Sequence, residues 1–287
     1  MKIQTFSIVT GTTTCNAMCP YCVSKMTPTN GIDYTPGMNW RNLRKACQLA
    51  KIRGVTTVLI TGKGEPTLYP EQLTDVLRHL SKFEFPLIEL QTNGIVLGDE
   101  PEKYNAYLRE WYDLGVTLIS VSVVHYKENR NEEIFQSYRY PKLDELVKNL
   151  HEHKLSVRLS CTMIKDYVDT ADEVGNLITY ARQNKVEQLS IRKLCCPLSS
   201  DNREVFKWVK EHQLTPWEMG NIKEFLDTTG TKLMTLESGI VYDVWGQNVC
   251  LTDALTLNPE SDNLRQMIFF PDGHIRYDWQ YPGAILL

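Results

Sequence analysis

The chain has 287 residues, 42% hydrophobic and 23% charged, which is enough to bury one large core of α/β-barrel size. Its 31 basic and 35 acidic residues leave a formal charge of -4, so no broad positive field exists to hold a phosphate backbone, and this argues against a nucleic-acid partner. No charged leader precedes an apolar run, and no window approaches the roughly 18 apolar residues of a membrane span, so a cytoplasmic protein is expected, its eight cysteines reduced.

In chain order, short β-branched runs alternate with segments of helical period. Strands are predicted at Thr5–Val9, Thr57–Thr61, Leu87–Thr92, Thr117–Val123, Ser156–Thr162 and Gln188–Lys193. Helices are predicted at Asn39–Arg53, Pro70–Lys82, Glu102–Leu114, Leu143–His153 and Ala171–Asn184, with Gly54 and Gly115 ending two of them. Such alternation implies a parallel sheet. Six βα units are too few to close a barrel, so the expected fold is α/β, a partial (β/α)6 TIM barrel over residues 1–195. Residues 196–287 are expected to form an α+β cap packed on it. A helix is predicted there at Pro216–Asp227, with strand pieces near Lys232–Leu236, Val241–Val244, Gln266–Phe270 and His274–Asp278, and Pro271-Asp272-Gly273 as a tight turn.

The segment CNAMCPYC, directly after the first strand, puts Cys15, Cys19 and Cys22 on one short loop at the end of the sheet where barrel sites are built. Three thiolates can hold three irons of a cubane and leave the fourth open to an outside ligand. A zinc site would need a fourth donor, such as Cys47 or a distant histidine, and describes a noncatalytic zinc-binding adaptor. The triplet, with Tyr21 directly before its third cysteine, resembles the signature of the radical S-adenosylmethionine (SAM) superfamily. The resemblance implies one [4Fe–4S] cluster on Cys15, Cys19 and Cys22. It also implies SAM on the open iron, reductive cleavage to a 5′-deoxyadenosyl radical, and an electron donor such as flavodoxin or ferredoxin.

TGKGEPTLYP after the second strand is similar to the family's Gly-Gly-Glu-Pro element, which implies that Gly62, Gly64, Glu65 and Pro66 meet the methionine amino group; Lys63 departs from the usual glycine. By the same resemblance Asn93 of Thr92-Asn93-Gly94, Ser122 on the fourth strand and Arg158 on the fifth are SAM contacts. For Ser122 a core serine, and for Arg158 an ion pair with a neighbouring helix, are the alternatives. His125 reads as an exposed loop residue, and Arg192 and Leu194 fall at the barrel end. Cys195 and Cys196 are candidate hydrogen-atom donors to a substrate radical, against a reading as inert thiols. The tail from Phe269 onward reads either as a substrate cover or as a plain cap with Arg276 paired to Asp278. The function expected is that of an oxidoreductase or transferase which abstracts hydrogen from a small molecule or nucleotide. Peptide modification and RNA methylation are the alternatives within the superfamily.

Overall fold

The computed structural model describes residues 2–29, 32, 34–197, 200–252 and 263–287. Six strands, β1 (Ile3–Thr10), β2 (Thr57–Gly62), β3 (Leu87–Thr92), β4 (Leu118–Val123), β5 (Ser156–Met163) and β6 (Gln188–Lys193), pair in parallel in chain order. The helices between them are α1 (Trp40–Ile52), α2 (Pro70–Leu80), α3 (Ile95–Asp99), α4 (Pro101–Asp113), α5 (Glu128–Phe135), α6 (Leu143–Glu152) and α7 (Ala171–Gln183). The six units therefore make the open, partial barrel that the sequence predicts. Local chemistry fixes the helix ends. Asn39 and Thr170 cap α1 and α7 by accepting from Asn42 N and Glu173 N, and Gly54 and Gly115 take the positive φ that stops α1 and α4.

Residues beyond 196 add two helices, α8 (Arg203–His212) and α9 (Pro216–Thr229), and five strands. These are β7 (Thr231–Leu236), β8 (Gly239–Val244), β9 (Gln247–Thr252), β10 (Leu264–Phe269) and β11 (Ile275–Arg276). β10 pairs in parallel with β1 and β9 in parallel with β6, so both free edges of the six-stranded core are extended within one 11-stranded sheet. The order is β11-β10-β1-β2-β3-β4-β5-β6-β9-β8-β7, and the sheet is not closed. α9 starts with a reciprocal capping box between Thr215 and Glu218 and a Pro at its first turn, and it packs beside α7.

The two faces of the sheet differ sharply. The outer face, with Phe6, Ile8, Val58, Ile60, Leu90, Ile119, Val121, Leu159 and Ile191, joins the helices in the main buried cluster. The inner face instead carries Thr5, Ser7, Glu89, Gln91, Ser120, Ser122, Arg158, Ser160 and Arg192, in register from strand to strand and several only half-buried. A closed barrel fills this space with branched apolar side chains. Here a polar, partly open lumen is left at the centre of the sheet.

Candidate active site at the cysteine loop

The chain leaves β1 through Gly11, whose φ of +72° and close approach to the Tyr69 ring, 2.6 Å from where a Cβ would sit, leave no room for a side chain. Tyr69 Oη and Thr12 Oγ1 share a hydrogen bond of 2.6 Å, and Gln72 Oε1 accepts from Gly11 N at 2.7 Å. The end of β2 then runs against the loop: Gly64 N donates to Thr12 O and Glu65 N to Thr14 O, both at 3.0 Å. A Cβ on Gly64 would lie 1.9 Å from Thr14 O, so this contact exists only because the residue is glycine. Downstream, Met18 N donates to Phe135 O at 2.8 Å and ties the loop to α5.

All three loop thiols are free. Asn93 Nδ2 approaches Cys15 Sγ at 3.8 Å and donates to Asn16 Oδ1 at 2.7 Å, while Ala17 N donates to Cys15 Sγ at 3.4 Å. Cys22 caps a short 3-10 turn, Val23–Lys25. Although Cys15 keeps some surface open, crowding of its thiol pushes it up to about 11, with Glu65 and Cys22 adding to the rise. Burial also pushes Cys19 well up, and Cys22 and Cys15 add to it, so the thiols feel one another's charge. Among the described residues no three His, Cys, Asp or Glu side chains converge closely enough to hold a single metal ion. Tyr21 stacks obliquely on Trp208 of α8, ring centroids 6.3 Å apart, and burial raises its phenol well above the usual range.

Glu65 is 4% exposed and bonded on both oxygens. Oε1 accepts from Thr67 N at 3.0 Å and from Thr67 Oγ1 and Thr92 Oγ1 at 2.6 Å; Oε2 accepts from Asn93 N at 2.8 Å. Burial raises its pKa, and these bonds oppose the rise. The carboxylate thus fastens the β2 turn to the end of β3, and only Oε2 keeps ready capacity for a further donor. Tyr104 supports the turn from beneath by donating to Thr67 O at 2.7 Å. Gly62 and Pro66 close it, and a Cβ on Gly62 would lie 3.2 Å from the Pro66 ring.

Lys63, the residue that departs from the expected glycine, is 5% exposed. Its ammonium donates to Thr27 Oγ1 and, at 3.4 Å, to Thr27 O, and it lies 5.7 Å from the Trp279 ring centroid. Burial brings its pKa down to about 8, against which Cys22 pulls upward.

Residues 9–181, more than half of the chain, match the sequence model of the Radical SAM superfamily. The chain belongs to the radical SAM superfamily. Against the curated proteins the sequence finds no match. Among solved structures, Streptococcus suis SuiB bound to S-adenosylmethionine is similar with a TM-score of 0.66 at 14% identity, over 99% of this chain and 62% of that one. A radical SAM methyltransferase from Sphaerobacter thermophilus gives 0.58 at 15% identity, over 85% and 64%, and methylornithine synthase (PylB) gives 0.54 at 12%, over 91% and 74%. The chain spans about three fifths of the length of SuiB. Enzymes of this superfamily use a [4Fe–4S] cluster and SAM. The donor set at the cysteine loop fits that cluster, with three free thiols on one loop that a glycine contact too close for any side chain holds against the β2 turn.

Ser122 lies on the inner face of this radical SAM barrel, half-buried and in register with Ser160. Arg158 is paired within the sheet. It sits near the entering end of β5, far along the strand from the cysteine loop, and its guanidinium is engaged by Glu89 of β3 and Gln188 of β6. An inner-face arginine needs a buried counter-charge, and Glu89 of a strand, not a residue of a neighbouring helix, supplies it. Arg192, two register rows nearer the site, donates to Ser160 Oγ and keeps an exposed face in the lumen. It is the lumen cation that sequence reasoning left without a role; its place at the carboxyl end of β6 was the available signal.

Cys196 Sγ lies 3.8 Å from Phe206 O as donor, and Cys195 follows the same strand end; both are partly buried. Cys250 on β9 joins the inner row Ser122, Ser160, Ser190, a placement hidden from sequence because β9 was not foreseen. In the tail, Arg276 pairs with Asp272 at 3.4 Å and not with Asp278, whose Oδ1 instead accepts from Gln280 N and Tyr281 N in a turn. Trp279 Nε1 donates to Gln266 Oε1 at 3.1 Å, and Gln266 donates to Ser7 on the inner face, which pins the tail beside the lumen. A surface hollow lined by Lys148, His151, Glu152, Lys185 and Glu187 lies at the opposite end of the strands.

His125 is buried, contrary to the reading of an exposed loop residue, because Asn131 of α5 folds back and accepts from Val124 N and His125 N. Its Nδ1 accepts from Lys127 N at 3.1 Å, and burial, with Lys127 and Arg130 nearby, brings its pKa down to about 4. The unfolded chain therefore binds this proton at higher pH than the folded one. Stability contributed by the neutral ring is full above about pH 6.5 and falls as pH drops toward about 4. Urea titrations of the protein and of His125→Asn across that window are expected to show a shallower acid-side loss in the variant; parallel curves would remove His125 as the cause.

Proposed function

We propose that the chain cleaves SAM reductively at a [4Fe–4S] cluster on Cys15, Cys19 and Cys22 and uses the resulting 5′-deoxyadenosyl radical to take hydrogen from a small polar molecule or nucleotide. The polar lumen directly under the cysteine loop carries this reading. Ser120, Ser122, Ser160 and Arg192 offer hydrogen-bonding groups to a polar ligand, and the half-open inner face leaves space for one. Gly62, Gly64, Glu65 and Pro66 hold the turn that faces the methionine end of SAM, with Asn93 and Tyr21 beside the thiols and Ser122 toward the ribose. Glu65 Oε2 is the oxygen with capacity left for an ammonium group. Bound together, cluster and SAM supply the radical; the chain's part is to orient the substrate and keep stray hydrogen donors away. Cys195, Cys196 or Cys250 would return hydrogen to the product where the reaction needs it. A low-potential flavodoxin or ferredoxin would donate the electron.

A peptide substrate is the second reading, motivated by the likeness to SuiB bound to its precursor peptide SuiA, which takes in 96% of this chain. Among the described residues no helix is long and apolar enough to cross a membrane. Anaerobically reconstituted protein is expected to be brown, to contain acid-labile sulfide, and to release 5′-deoxyadenosine from SAM on reduction. Deuterium transfer into 5′-deoxyadenosine from labelled metabolite pools, nucleotides and peptides then sorts the substrate classes. Protein containing zinc and no sulfide would leave the adaptor reading in its place.

A further inference from the structure

Among the described residues Lys63 is a buried cation with no carboxylate beside it. Its ammonium is held by Thr27 Oγ1 and Thr27 O and lies over Trp279. Glu65, two residues on, is turned the other way and spends its oxygens on Thr67, Thr92 and Asn93. A charge this buried is costly unless something opposite stands beside it. What stands beside it is the cysteine loop. Thr27 Oγ1 donates in turn to Val23 O at 3.1 Å, next to Cys22, and the flanking Gly62 and Gly64 place the Lys63 backbone against Thr12 and Thr14. Neutral thiols offer a lysine little, whereas three thiolates around iron carry net negative charge that grows with each added electron.

We infer that Lys63 is the built-in counter-charge of the cysteine loop, a positioning residue whose ammonium stabilises the reduced cluster and so sets how readily it accepts an electron. The inference rests on the ligand assignment proposed above. The step is a one-electron reduction: the electron comes from an external low-potential donor, no bond is made or broken, and Lys63 keeps its protons. The positive charge in this low-dielectric pocket lowers the energy of the more negative state by Coulomb attraction.

The test is an EPR-monitored potential titration of reconstituted wild type, Lys63→Met and Lys63→Arg, without SAM, with dithionite-poised mediators. Lys63→Met keeps the side chain's length and removes its charge. Its reduction equilibrium is expected to move at least tenfold toward the oxidised cluster, about 59 mV for one electron, with Lys63→Arg close to wild type. Apo Lys63→Met is expected to melt no lower than apo wild type, since among the described residues the charge it loses meets no carboxylate. Iron retained by Lys63→Arg and lost by a folded Lys63→Met would support the same role. A midpoint unchanged in Lys63→Met, an equal displacement in Lys63→Arg, or an apo variant that fails to fold would each overturn it. So would an unchanged midpoint joined to weaker SAM binding by calorimetry, which would make Lys63 a SAM ligand. Wild type that takes up neither iron nor sulfide would sink the cluster assignment itself, before Lys63 is reached.

Discussion

Changing any one of Cys15, Cys19 or Cys22 to alanine is expected to drop iron and sulfide to background and to cut 5′-deoxyadenosine release by roughly 10³-fold or more, because ligands that act as a unit fail as a unit. The expectation follows from how the loop is built. Free thiols sit here at a cost: burial and mutual repulsion push Cys15 up to about 11 and Cys19 higher still, and Glu65 adds to the rise at Cys15. They become thiolates when metal displaces their protons, so losing one donor leaves two that cannot cage a cube. The discriminating controls are Cys47→Ala and Cys250→Ala. Cys47 is fully buried among the α1 core residues, and Cys250 lies in the inner row on β9, so neither change is expected to alter iron content. Iron and sulfide persisting at wild-type levels in a loop variant would move the cluster elsewhere.

What the sequence disclosed, and what it withheld, divides by range. The six core strands and the loop signature were legible because each is a local pattern. A buried parallel strand such as β2 carries an apolar run, Val58-Leu59-Ile60, by itself, and CNAMCPYC needs no partner to be read. β9 was not legible: QNVCLT alternates polar and apolar residues only weakly, and its place at the edge of β6 is decided by pairing with a strand about sixty residues earlier. α8 was legible and passed over, since Asn202 caps it and Val205 and Val209 stand four apart on its buried side. The strand partner of Arg158 was not legible, because Glu89 lies 69 residues away. His125 misled for the same reason in miniature, since Asn131 on the following helix, and not the loop, sets its burial. Charge pairing on the inner face is a tertiary fact, and the site's electrostatics follow from it.

Gly64→Ala is expected to be the most damaging small change outside the cysteines. A Cβ there would lie 1.9 Å from Thr14 O and 2.9 Å from Thr12 O, and backbone atoms cannot rotate aside as a side-chain end can. Relief requires the two segments to part, which breaks the bonds from Gly64 N to Thr12 O and from Glu65 N to Thr14 O. These two bonds are what lay the β2 turn against the residues just before Cys15. A cost of about 2–3 kcal/mol is expected from the overpacking. It should be accompanied by poorer iron retention, because the displaced segment leads directly into the first thiol. Gly220→Ala is the counterpart: it lies within α9 with nothing within 4 Å of its Cβ, so alanine is expected to raise stability by about 0.5–1 kcal/mol through helix propensity alone. Anaerobic thermal melts of both variants, read beside iron content, separate the cases. If Gly64→Ala melts and loads iron like wild type, the loop is not held by close backbone contact, and the placement of Cys15 needs another cause.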